Sequence, residues 1–139
     1  MSCSVEYGGS GGHSFSLLSK DQVQPVQKID VWIADHDGAL IVSKIELFWR
    51  DGSRGSTGED TAGNLYTHKF EDDEIITEFT IHAGSFVDGI SFKTNKLASE
   101  FAARGPGGSA HQIDVGNGKL LGFTGRSGYD VDAISACFN

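Results

Sequence analysis

Residues 125–135 read GRSGYDVDAIS: a glycine, an aromatic and two aspartates ahead of an apolar alternation. The stretch has a partner. GYDVDAISA at 128–136 aligns with GSFVDGISF at 84–92, with Gly, Val, Asp, Ile and Ser in common, five of nine positions at a spacing of 44. A further step back of 45 from Ile90 sets VSKI at 42–45 against VDGI at 87–90, with Ser43 where the aspartate stood. Three copies at about 45 residues account for nearly the whole chain. Such a period marks one repeated supersecondary unit.

The unit is read as β structure. Ile29, Val31 and Ile33 alternate in KIDVWI, Ile41, Ile45, Leu47 and Trp49 in IVSKIELFW (with Ser43 interrupting), Ile75, Phe79 and Ile81 in IITEFTI, and Asp132, Ile134, Ala136 and Phe138 in VDAISACF. A period of two puts alternate residues on one face of a strand. Glycine, aspartate and asparagine bound each run, as turns require. The expectation is about ten to twelve short strands. A short helix over LASEFAA (97–103) is the competing local reading. Glycine clusters recur as well: GGSGG at 8–12, DGSRGSTG at 51–58 and RGPGGS at 104–109. Each repeat is therefore a small antiparallel sheet with a glycine loop and a G-x-x-x-D turn, and three sheets pack as a triangular prism around one core.

The bulk numbers fit a single domain over residues 1–139 and narrow its partners. The 139 residues include 19 glycines and 2 prolines, and the formal charge is −8. An acidic surface repels phosphate backbones, which disfavours nucleic acid and anionic membranes. No run approaches the 18 apolar residues of a membrane-spanning helix. The start, MSCSVEYGGSGG, lacks a basic segment followed by an apolar one. The expected location is therefore cytoplasmic, or secreted if a leader has been removed. Cys3 and Cys137 can pair only if the two chain ends meet, and nothing else in the sequence signals an oxidising compartment, so two free thiols are expected.

The ordered set YGGSGGHSF, GISFKTN and GFTGRSGYDVDAIS resembles the jacalin-related lectins over the full chain. That resemblance implies an all-β fold, β-prism I, with three antiparallel four-stranded sheets and pseudo-threefold symmetry. It also implies a carbohydrate site without catalysis or cofactor, and homo-oligomers that bind glycans. In the family the last glycine of the N-terminal loop offers its backbone N–H to a sugar hydroxyl, and the G-x-x-x-D turn supplies N–H groups and one carboxylate. Carried onto this sequence, the first site is Gly12, Tyr129, Asp130, Val131 and Asp132. A second, on the repeated turn, is Gly108, Ser85, Phe86, Val87 and Asp88, with a partner loop that reads as shorter than the family's usual one. The third turn has Ser43, a neutral hydroxyl that cannot accept two charge-assisted bonds as a carboxylate does.

The chemistry of these residue types is apt. A carboxylate accepts from two adjacent hydroxyls at once, glycine lets the backbone approach a ring closely, and an aromatic can wall its C–H face. Tyr129 stands where several mannose-binding members carry aspartate, and galactose-binding members also place aromatics there. The latter owe their preference partly to a chain cut that frees an N-terminal glycine amine. Here the loop follows Tyr7 in a continuous chain, which favours mannose or glucose over galactose.

Other constellations are weaker. Asp130 is replaced by Phe86 in the second copy, so Asp130 and Asp132 do not recur as a pair. Asp132 is the expected ligand and Asp130 contributes mainly backbone. Neither is expected in the apolar setting that would raise a catalytic carboxyl's pKa. ADHDG (34–38) lacks the spacing of a calcium loop, and EDDE (71–74) reads as a solvated acidic turn, so no metal is assigned. The five histidines form no H-x-x-x-H pair and are read as surface or partly buried strand residues. Trp32 and Trp49 are read as core.

Overall fold

The computed structural model describes residues 1–139, and all of its regular elements are strands. They are β1 (Ser2–Cys3), β2 (Tyr7–Gly8), β3 (His13–Leu18), β4 (Val26–His36), β5 (Ala39–Trp49), β6 (Arg54–Gly58), β7 (Asn64–Lys69), β8 (Ile76–Ala83), β9 (Val87–Thr94), β10 (Phe101–Arg104), β11 (Ser109–Ile113), β12 (Leu120–Ser127) and β13 (Val131–Phe138). Each of three sheets is an inner hairpin with a strand on either side. The orders are β6-β5-β4-β7, β10-β9-β8-β11 and β1-β13-β12-β3, with β2 also on β13. The two-residue strands β1 and β2 share one edge of β13, so together they fill the fourth position of that sheet. All pairings are antiparallel. The architecture is the expected three-sheet prism. Residues 97–103 form bends and the start of β10, not a helix.

The repeat is visible in the irregularities as well as in the strands. Every inner hairpin carries two register shifts. Those nearest the hairpin turn fall at Ser43, Asp88 and Asp132, and those at the far end fall at Gln27, Thr77 and Leu121. A bulge leaves one residue without a partner and re-aims it. The far bulge at Thr77 also resets the expected alternation. Ile76 joins the core at 1% exposure, while Ile75, expected inside, is 40% exposed.

The inner faces meet in one core that includes Ile29, Ile45, Phe79, Phe92, Phe123 and Phe138. Burial of each such side chain contributes about 1.5–3 kcal/mol. Phe79 packs on Phe92 of its own sheet, ring centres 5.9 Å apart, and reaches Phe123 and Phe138 of a neighbouring sheet at 6.1 and 5.8 Å. Trp49 is core, its indole N–H donating to the Leu121 carbonyl at 2.9 Å. Trp32 is not core: strand alternation turns it outward, where it lies under the Lys44 ammonium. Glu74 of EDDE is buried rather than solvated. It accepts from the Glu71 N–H and the Thr94 hydroxyl and bonds His68.

The cysteines also depart from expectation. Cys3 and Cys137 are direct cross-strand partners in the β1–β13 pair and form a disulfide. Free thiols were expected because the sequence alone does not show that its two ends lie on adjacent strands. The bond closes a separation of 134 residues and fastens a strand only two residues long. Replacing both cysteines by alanine is expected to lower unfolding stability by about 2–5 kcal/mol, read from thermal or denaturant unfolding.

Candidate functional site

The three turns gather at one end of the prism. Turn 128–130 joins β12 to β13, turn 84–86 joins β8 to β9, and turn 37–38 joins β4 to β5. The first two share a construction in which Gly128 N–H donates to the Asp130 carbonyl and Gly84 N–H to the Phe86 carbonyl, both at 2.9 Å. Beside each inner hairpin lies the loop between its two outer strands. These loops are residues 9–12, 105–108 and 59–63.

In the first cluster the bulge aims Asp132 at loop 9–12. A Cβ on Gly11 would stand 2.6 Å from Oδ2 of Asp132, and one on Gly12 would stand 2.8 Å from Oδ1 and 2.6 Å from the Ser127 carbonyl oxygen. Only glycine fits so close to the carboxylate, and Gly12 also adopts φ +70°. Arg126 holds the loop from behind, its guanidinium donating to the Gly11 carbonyl at 3.0 Å and the Gly12 carbonyl at 2.9 Å. An open depression of about 250 Å³ results, lined by Gly12, His36, Phe86, Gly128, Tyr129, Asp130 and Asp132. Tyr129 is 64% exposed and free to stack on a ligand. Val131 is fully buried and anchors the turn.

Asp130 differs from expectation. Its carboxylate is buried and bonded to Nδ1 of His36 at 2.9 Å. Burial holds its pKa above the usual carboxylate range, and the His36 bond offsets part of that. The aspartate was expected to lend mainly backbone and to lack an apolar setting. Its side chain instead fastens turn 128–130 to β4. The two aspartates still do not act as a pair, because one is turned to His36 and the other to the glycine loop.

The second cluster repeats the geometry of the first. A Cβ on Gly107 would stand 2.8 Å from Oδ2 of Asp88, and one on Gly108 would stand 2.5 Å from Oδ1. Gly108 has φ +80°. Loop 105–108 has the same length as loop 9–12, so it is the full counterpart and not a shortened one. Val87 is buried, like Val131, and Ser85 is exposed. Phe86 belongs elsewhere than expected: its ring lies 4.6 Å from that of His36, and it lines the depression of the first cluster. Burial raises the Asp88 pKa, partly offset by His82 and Arg104.

In the third cluster the bulged residue is Ser43, fully buried, its hydroxyl donating to the Asp60 carbonyl at 2.7 Å and to the Trp32 carbonyl at 3.2 Å. The bulged position therefore presents no carboxylate to loop 59–63. The glycine matching Gly12 and Gly108 is Gly63, just before β7, and not one of the glycines in 51–58.

Sequence reading missed Arg126 and His36. Arg126 stands two residues before the turn, where its length and charge were a usable signal. His36 meets Asp130 across 94 residues, and no local pattern announces that contact.

The comparisons agree with this architecture. The model of the jacalin-like lectin domain matches residues 4–137, and the chain belongs to that family. It is 27% identical over 144 residues to the jacalin-related lectin Calsepa of Calystegia sepium, a match covering 92% of this chain and 88% of that protein. Among solved structures, the lamprey immune protein superposes with a TM-score of 0.82 at 26% identity, over 99% of this chain. The chain spans 44% of that protein's length. Artocarpin, solved as a mannotriose complex, superposes with a TM-score of 0.75 at 19% identity, over 96% of this chain and 94% of its own.

Gly12→Ala is expected to disrupt the first cluster without unfolding the protein, because loop 9–12 is largely exposed while the added methyl meets Ser127 and Asp132. Amide and side-chain NMR shifts confined to residues near 12, 127 and 132 would report this.

Proposed function

We propose that the protein is a non-enzymatic lectin that binds mannose- or glucose-type units of glycans at the Asp132 cluster, with a second site at Asp88. One observation carries the reading: a half-exposed carboxylate set directly against two exposed glycines, one of them at positive φ, built twice in the same geometry. That arrangement offers acceptor oxygens and backbone donors to neighbouring hydroxyls of one ring. The mannotriose bound by the structural relative artocarpin supports the choice of sugar. An uncut chain through residues 7–12 supports mannose or glucose over galactose.

Catalysis finds no support, since Asp130 is bound to His36 and leaves Asp132 without a second free carboxyl from its own turn. One shallow site gives affinity on the order of millimolar, about −4 kcal/mol. Two sites per chain, multiplied in a homo-oligomer, supply avidity. The Cys3–Cys137 disulfide supports work in an oxidising compartment over the cytoplasmic setting expected from the sequence.

Titration calorimetry with methyl α-mannopyranoside tests this. The wild type is expected to show two sites, Asp132→Ala and Asp88→Ala one each, and the double variant none. No heat from the wild type at tens of millimolar sugar would instead favour a protein-interaction module with idle clusters.

The Asp88 site also has an expected pH response, measurable alone in the Asp132→Ala protein. A raised pKa means that Asp88 takes up its proton at a higher pH than the ordinary aspartate value of about 3.9. Protonation removes acceptor capacity, so sugar affinity falls on acidification, and it does so before that value is reached.

A further inference from the structure

The two carboxylate–glycine clusters are alike in geometry but differ in the charges around them. Register identifies the substitutions. Ala133, next after Asp132, faces Gly8 on the outer strand, whereas Gly89, next after Asp88, faces Arg104. Arg104 is exposed and forms no ion pair with any carboxylate. Its Nε donates to the Gly105 carbonyl at 3.1 Å, at the start of the loop that carries Gly107 and Gly108. The terminal nitrogens keep the fork of donors that matches an oxyanion. His82 and His111 stand on the strands behind, with Glu100 as the nearby acidic residue besides Asp88.

The first cluster is surrounded differently. The loop that seats on its turn brings two acids: Glu59 and Asp60 donate their amide N–H groups to the Tyr129 carbonyl at 2.9 and 3.3 Å. Their charges, with that of Asp130, lie close enough to Tyr129 to raise its phenol pKa, Asp60 most of all. Asp37 adds a further carboxylate beside His36 at 3.7 Å. The one guanidinium, Arg126, is engaged with the Gly11 and Gly12 carbonyls. The loop seated on turn 84–86 is the uncharged glycine loop, with Gly9 against the Ser85 carbonyl.

We propose that the Asp88 cluster accepts saccharides bearing an oxyanionic substituent, with Arg104 as the residue that selects them, while the Asp132 cluster takes neutral saccharides and rejects anionic ones. This rests on the carbohydrate-binding reading above. It makes one chain a reader of two glycan chemistries from a single duplicated site. A sulfate ester and a uronic carboxylate share the required chemistry. Both present planar or forked oxygens to a guanidinium, and both are repelled by a rim of carboxylates.

The test uses methyl α-mannopyranoside, its four mono-sulfated forms and methyl glucuronide, each titrated into single-site proteins. In Asp132→Ala, at least one anionic probe is expected to bind about three- to tenfold more tightly than the neutral mannoside. That advantage should shrink between 0.1 M and 1 M salt, as screening shortens from about 10 to 3 Å. Adding Arg104→Gln should collapse the anionic-to-neutral ratio to about one. In Asp88→Ala the ratio should fall below one, and Glu59→Gln with Asp60→Asn should bring it back up.

Sulfated mannosides distinguish themselves from glucuronide by which probe shows the larger ratio, and inorganic sulfate is run as the bare-anion control. The proposal is overturned if no anionic probe beats the neutral sugar in Asp132→Ala. A ratio that ignores Arg104→Gln, or inorganic sulfate binding as tightly as the best probe, overturns it equally. Failure of the neutral mannoside to bind either single-site protein overturns the underlying lectin reading instead.

Discussion

At Asp132, Asp88 and Ser43 one strand of an antiparallel pair holds a residue that its partner does not match. The candidate sites depend on that surplus. A regular strand would send residue 132 to one face of its sheet, outward or into the core. The bulge takes it out of the alternation and delivers its carboxylate sideways, to a loop that belongs to the neighbouring strands. What the bulge delivers is then a matter of one side chain. A carboxylate makes an exposed acceptor, and a serine folds back onto the carbonyls of Trp32 and Asp60 and closes the position.

The three units are also geared to one another. Loop 59–63 seats on turn 128–130 through the Tyr129 carbonyl, loop 9–12 lies on turn 84–86 through Gly9 and Ser85, and loop 105–108 lies on Leu40, just past turn 37–38, through Gly105. Each sheet thus props up the turn of the next around the threefold. His36 tightens this ring by reaching both Asp130 and Phe86. The acids around the Asp132 cluster therefore come from a loop of a different repeat, so copies alike in their own residues can differ in their surroundings.

That explains what could be read from the sequence. The strands, the period and the glycine–aspartate turns are local, and local patterns survive in a linear text. The alternation failed at Ile75 because a bulge at Thr77 shifts the phase, and the pattern carries no mark of a bulge. Asp132 and Asp88 were legible because repetition singled them out. Asp130 was misjudged because its partner is contributed by another repeat, and Phe86 was placed in its own repeat's site because nothing shows that it leans into a neighbour's. Gly63 was overlooked in favour of the richer glycine run at 51–58, although strand register and not glycine density decides which glycine stands in the place of Gly12 and Gly108.

The disulfide lies at the other end of β13. Cys137 and Asp132 are separated by five residues of strand, roughly 17 Å at about 3.3 Å each. Cys3 and Cys137 therefore clamp the chain at the base of the prism while the turns occupy its crown. Tension applied through the two ends is borne by one covalent bond and never reaches the loops that hold the carboxylates.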